Sequence, residues 1–143
     1  IQPLMPYQFV LDEENPRNPS SLQIPLSPDS KGLNLISPLV PVAPGSILYF
    51  SAWLKVDQLD NHSANMRVAY ADENKEMLNV DIVNADGITG STDWTRQVYL
   101  RPVPEGAHYA SIVFWVYQNS SRRARHEGYF KVNAFQFENP FLP

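Results

Sequence analysis

Apolar and polar residues alternate with a period of two through most of the second half of the chain. In 65–71, Met66, Val68 and Tyr70 alternate with Arg67, Ala69 and Ala71. In 77–83, Leu78, Val80 and Ile82 share a side, and in 94–101 Val98 and Leu100 do. Successive side chains of an extended backbone point to opposite faces, so each segment is expected to be a strand. Residues 47–56 (ILYFSAWLKV), 109–118 (YASIVFWVYQ) and 129–138 (YFKVNAFQFE) are richer still in β-branched and aromatic residues and read as strong strands. Polar or turn-forming stretches separate them. Residues 57–64, 84–93 and 119–128 are expected to be loops, with turns at Pro44-Gly45, 72–75 and 102–106.

The first 46 residues are different. Nine prolines, from Pro3 to Pro44, leave room only for short extended pieces, at 7–11, 21–26 and 33–42. Proline removes a backbone donor and breaks helix interiors, so these pieces suit edge strands. Proline makes up 13 of the 143 residues, whereas typical usage is roughly 5%. No convincing helix lies between the strands. The expected fold class is all-β: an antiparallel β-sandwich or barrel of about eight or nine strands, in one domain spanning 1–143.

Four segments, in order, resemble the jelly-roll carbohydrate-binding modules of the galactose-binding-domain-like superfamily, of the type found in families 4, 9 and 22. They are VAPGSILYFSAWLKV from Val42, Thr92-Asp93-Trp94-Thr95, Val103-Pro104-Glu105-Gly106-Ala107, and Gly128-Tyr129-Phe130-Lys131-Val132-Asn133. The resemblance implies a jelly-roll sandwich. It also implies a sugar-binding accessory role in a larger extracytoplasmic protein, although the fold also serves protein contacts or acts as a spacer. The closing strand of such modules often carries an Asp that helps hold a structural calcium, where this chain has Asn133. Calcium would therefore lean on Asp12, Glu13 and Glu138, should the termini meet. No other cofactor is expected. The start at Ile1, with no signal-like segment, reads as a piece of a longer protein.

Sugar binding needs flat apolar surfaces and planar hydrogen-bonding groups. In 109–118, Ile112, Phe114 and Val116 share one face and read as core. Val113, Trp115 and Tyr117 share the other. Trp115 and Tyr117 are then either an aromatic platform, with Gln118 as a polar clamp, or lie covered by the proline-rich segment. Trp53 falls with Tyr49, Ser51 and Lys55, where it extends a groove or packs structurally. Arg67 is the one charge in its strand. It would hold hydroxyls or a uronate carboxylate in its fork, or else lie on a solvated face. Trp94 reads as rim packing. The run Arg122-Arg123-Ala124-Arg125-His126 is either a site for an anionic partner or a mobile, charge-solvated loop.

The remaining composition narrows the classes. Eleven Lys and Arg against 15 Asp and Glu give a net charge of −4, which offers no footprint for nucleic acid. With no cysteine, disulfides, thiolate metal sites and cysteine nucleophiles are excluded. No apolar run is long enough to span a membrane as a helix. His62, His108 and His126 lack metal spacing. The acidic pairs Asp57/Asp60, Asp72/Glu73 and Asp81/Asp86 have nothing to set them across a cleft, and no catalytic motif is present. The chain is therefore expected not to be an enzyme. Its expected partners are a carbohydrate or neighbouring domains of the parent chain. The rival is a structural or protein-interaction sandwich with no small ligand. Asn61-His62-Ser63 and Asn119-Ser120-Ser121 are glycosylation triplets in expected loops.

Overall fold

The structure, a computed structural model, describes residues 8–11, 20–84 and 86–138, with side chains described for 23–84 and 86–132. It is all-β. Eleven strands run in chain order: β1 Gln8–Leu11, β2 Ser20–Leu26, β3 Gly32–Ile36, β4 Val40–Pro41, β5 Ile47–Asp57, β6 Leu59–Ala71, β7 Met77–Ile82, β8 Ile88–Gly90, β9 Thr95–Pro102, β10 Tyr109–Gln118 and β11 Gly128–Glu138. Among the described residues there is no helix, so none could cross a membrane. One sheet has the order β1-β2-β11-β5-β9. The other has the order β3-β10-β6-β7, with β4 on β10 and β8 on β6. Every pairing is antiparallel.

The period of two decides what lies between the sheets. Along β5, Leu48, Phe50, Ala52, Leu54 and Val56 are buried, while Tyr49, Ser51, Trp53 and Lys55 stay half-exposed. On β10, Ala110, Ile112, Phe114 and Val116 point inward, and Ala64, Met66, Val68 and Tyr70 do so from β6. Phe114 of one sheet meets Phe130 of the other, with ring centroids 6.1 Å apart. β5 passes into β6 through one residue, Gln58, at φ 54°, so the chain changes sheets without a loop.

At the β7/β9 edge the core contains a polar bridge. Tyr70 and Tyr99, each 1% exposed, join their hydroxyls at 2.7 Å. Tyr99 donates to Asp81 at 2.7 Å, so Tyr70 must be the donor to Tyr99. Arg101 completes the bridge, 3.8 Å from the Asp81 carboxylate and with its guanidinium over the Tyr99 ring. Buried hydroxyls need such partners, because an unmatched one loses the hydrogen bond it made with water.

Three expectations about the elements are corrected. Residues 57–64 are not a loop, because β6 begins at Leu59. Its polar residues are buried because each has a partner. Asn61 Nδ2 donates to the carbonyls of Ser120 (3.0 Å) and Arg122 (2.8 Å), His62 Nε2 to that of Ser30 (2.6 Å), and Ser63 Oγ to Asn119 Oδ1 (3.0 Å). The 33–42 run splits into β3 and β4 at Ser37, whose N–H donates to the Ile112 carbonyl while its Oγ accepts from the Ile112 N–H. Residues 84–93 contain the short strand β8. These extra pieces raise the strand count above the expected eight or nine.

The basic 119–127 segment is pinned, contrary to the expectation of a mobile loop. Arg122 pairs with Asp60 at 3.1 Å and Arg123 with Asp29 at 2.7 Å, while the Arg125 N–H donates to Asp60 and the Ala124 N–H to the Pro28 carbonyl. The Arg122 hydrogen bond, then the Arg125 N–H, hold the Asp60 carboxyl down at about 2, against a small opposing effect of desolvation. Asn61 is closed to glycosylation in this fold, because its amide is buried and both its hydrogens are donated. Asn119 is exposed.

Tyr99→Phe strands two partners and is expected to cost about 1–3 kcal/mol in urea unfolding; Tyr70→Phe leaves the Asp81 bond intact and should cost less. Burial raises both phenol pKa values above the ordinary 10. Their contribution is thus intact below about pH 10 and lost above it, where the unfolded chain ionises first. The Asp60 pKa is depressed, so its contribution is present above pH 3.8 and fades toward pH 2. At pH 8, Asp60→Asn should speed tryptic cleavage after Arg122, Arg123 or Arg125 by about tenfold and lower the unfolding midpoint modestly. Unchanged cleavage would show that Asp60 does not hold the segment.

Candidate functional site

The ten-residue pairing of β10 with β6 sets the geometry of the outer face of the six-stranded sheet. Trp115 stands opposite Asn65 on one side and Asn34 of β3 on the other, Val113 stands opposite Arg67, and Tyr117 opposite Ser63. Arg67 thus reaches Trp115 from the Val113 end of the strand, and Tyr117 reaches it from the other end. The Arg67 guanidinium carbon lies 3.7 Å from the centre of the Trp115 ring. The Tyr117 ring centre lies 4.9 Å away, at an interplanar angle of 43°. The indole is therefore held between a cation and a phenol. Such cation–π and tilted aromatic contacts are each worth about 0.5–1.5 kcal/mol beyond area burial.

The local backbone supports this stack. Gly32, at φ 118°, opens β3 opposite Tyr117; a Cβ there would sit 2.1 Å from the Val116 carbonyl oxygen, so only glycine lets β3 run against β10 at this level. Gly87, at φ 72°, brings the β7–β8 turn onto the Tyr117 hydroxyl, where an added methyl would lie 2.8 Å away. Arg67 Nε donates to Asn65 Oδ1 at 3.1 Å, which fixes the guanidinium plane. Among the described residues no carboxylate pairs with Arg67. Partial burial pulls its pKa below the usual arginine value, with Tyr117 opposing, and the group stays a cation.

The same face continues past Val113 into a shallow apolar trough of about 210 Å³, lined by Ile36, Leu39, Ala69, Ala71, Met77 and Val113. Lys75 stands at its rim, with its ammonium 5.4 Å from the centre of the Tyr109 ring. The described parts of the proline-rich segment are built into the two sheets as β1 to β4; β1 and β3 end their sheets, β3 beside β10, whereas β2, expected at an edge, lies between β1 and β11.

Of the residues singled out from sequence, Trp115, Tyr117 and Arg67 come together. Trp53 does not join them. It lies on the outer face of the other sheet, opposite Arg96 of β9, with the whole core between it and Trp115. Nor does Gln118, which stands opposite buried His62 and donates to the Arg122 carbonyl at 3.1 Å. Trp94 is half-buried, with a buried indole N–H that has no hydrogen-bond partner among the described residues. Asn34, Asn65 and Lys75 escaped the sequence reading. Only the register across three strands, which no local pattern reveals, places them here.

Three of the acidic residues named from sequence have partners. Asp60 is held by Arg122, Asp81 by Tyr99 and Arg101, and Asp72 accepts from its own turn at Asn74 and Glu76. Among the described residues, no three His, Asp or Glu side chains gather where they could hold a metal ion. Asp12 and Glu13 lie outside the described residues, as do the side chains of Asn133 and Glu138, the other groups named for calcium.

No protein-family model matches the chain. No curated protein sequence matches it either. Solved structures do match. Tailspike protein 4 of bacteriophage CBA120, described as its enzymatically active domain, superposes with a TM-score of 0.68 at 16% identity, over 94% of this chain and 18% of that one. A family 16 carbohydrate-binding module gives 0.61 at 16%, covering 95% of this chain and 87% of the module. The CBM22-1 xylan-binding domain of Paenibacillus barcinonensis Xyn10C gives 0.56 at 15%, covering 99% and 86%. The chain spans under a fifth of the tailspike chain and most of the two modules. From its sheet order and these superpositions, the chain has the jelly-roll β-sandwich fold that carbohydrate-binding modules share.

Proposed function

We propose that the chain is a non-catalytic carbohydrate-binding module of an extracytoplasmic protein, with its ligand on the outer face of the six-stranded sheet. The observation that carries this is the Arg67–Trp115–Tyr117 stack, built in mid-sheet at half exposure and flanked by two asparagines. Besides stabilising the pairing of β6 with β10, the stack offers an exposed aromatic edge and planar donors, groups suited to the apolar faces and hydroxyls of sugars. The kinship in fold with modules whose names record carbohydrate or xylan binding supports the reading. The mechanism departs from a bare platform. Both sides of the indole are occupied, so a sugar ring meets the rim of the stack and the outer side of Tyr117, while Asn34 and Arg67 supply hydrogen bonds. A shallow, wet contact of this kind gives dissociation constants on the order of micromolar to millimolar.

A second reading, a protein-interaction sandwich, is favoured by the apolar side chains on the two edge strands. Met77 of β7 is 72% exposed and Leu100 of β9 is 60% exposed.

Calorimetric titration with a panel of neutral and acidic oligosaccharides tests the first reading. At least one should bind, and Trp115→Ala should weaken it about tenfold or more, with folding checked by near-UV circular dichroism. Trp53→Ala should leave affinity within about twofold, because it lies across the core. Absence of heat with every glycan, or binding indifferent to Trp115, would leave the second reading standing.

A further inference from the structure

Resting on the proposed carbohydrate site, we infer that its ligand is acidic, a glycan bearing hexuronic acids, and that Arg67 reads the carboxylate. Arg67 lacks a counter-charge among the described residues. Its Nε is used on Asn65 and its plane is fixed against Trp115, while among the described residues neither terminal nitrogen meets a carboxylate. A half-buried guanidinium loses hydration without gaining a counter-charge, a state that a ligand anion relieves. Arg101, Arg122 and Arg123 each have an aspartate, whereas Arg96 and Arg125, exposed on the surface, have none among the described residues; Arg67 lacks one while held part-buried in mid-sheet.

The surroundings point the same way. The outward positions of β3, β10, β6 and β7 around the stack carry Asn34, Ile36, Ser111, Val113, Ala69 and Val80, with no Asp or Glu among them. Asp81 of β7 is turned away, opposite inward-facing Val68, toward Tyr99. Asp86, next to Gly87 in the β7–β8 turn, is the acidic residue at the rim. Arg67 and Lys75 stand on this face, Lys75 in a turn that also carries Asp72, Glu73 and Glu76, in a chain whose net charge is −4. A planar fork held rigid by stacking matches a planar carboxylate through two parallel hydrogen bonds, about twice as strong as neutral ones. A neutral hydroxyl would engage one of them.

The test pairs each acidic probe with its neutral twin. Oligogalacturonate, oligomannuronate and hyaluronan hexasaccharides, each beside its carboxyl-reduced form, are titrated into wild type, Arg67→Lys and Arg67→Gln. The titrations are run at about 50 and about 300 mM salt, which span strong and weak screening. At least one acidic probe is expected to bind wild type about tenfold tighter than its reduced form. That preference should shrink to within about twofold in Arg67→Gln and only partly return in Arg67→Lys, which supplies charge without the fork. Equal binding of acid and reduced forms to wild type overturns the inference but leaves a carbohydrate module. A preference that survives Arg67→Gln also overturns it, since the charge is then read elsewhere. No binding of either form overturns this inference, while the reading on which it rests stands or falls by the wider panel of neutral oligosaccharides.

Discussion

The ten-residue antiparallel register between β6 and β10 is the constraint on which the rest depends. It runs from Tyr109 opposite Ala71 to Gln118 opposite His62 without a bulge. Because side chains alternate, that alignment sends Phe114, Met66 and their neighbours into the core and leaves Trp115, Tyr117 and Arg67 outside. A slip of one residue would exchange the two sets, exposing the core residues and burying an unpaired arginine. Core and candidate site are thus two sides of one ladder, and the apolar burial that stabilises the sandwich also fixes the stack. Hydrogen bonding alone would tolerate several alignments; burial selects one.

The sequence revealed the strands wherever one face meets water and the other meets apolar neighbours. β5 is the clearest case: its β-branched and aromatic residues marked it as a strand over 47–56, and in the structure its burial alternates strictly over eleven residues. It misled at 59–63, where Asn61, His62 and Ser63 look like a solvated loop. Their partners are carbonyls and an amide some 30 to 60 residues away, a kind of information that local pattern lacks. The proline-rich segment was legible only as short extended pieces, since β3 and β4 are separated by Ser37-Pro38-Leu39, in which Ser37 stands in for ladder bonds.

The site was legible in part for the same reason. The face shared by Trp115 and Tyr117 follows from alternation within one strand. That Arg67 lies over Trp115, while Trp53 is on the far side of the molecule, follows from which strands become neighbours. The strand order 3-10-6-7 is non-sequential, and in a jelly roll most neighbours are distant in the chain. The pinned basic segment is a further example: its charge was readable, but its pairing with Asp60 and Asp29 was not.

The single-residue corner at Gln58 and the tyrosine pair at the β7/β9 edge couple the two sheets at separate places. Neither leaves a hinge, so the layers have little freedom to shear past each other. Occupation of one outward surface therefore has no moving part through which to reach the opposite one, which carries Tyr49, Trp53 and Arg96. The sandwich behaves as an insulator: the energetics of its two exteriors add, and any cooperation between them must come from how copies are strung together rather than from a change of shape.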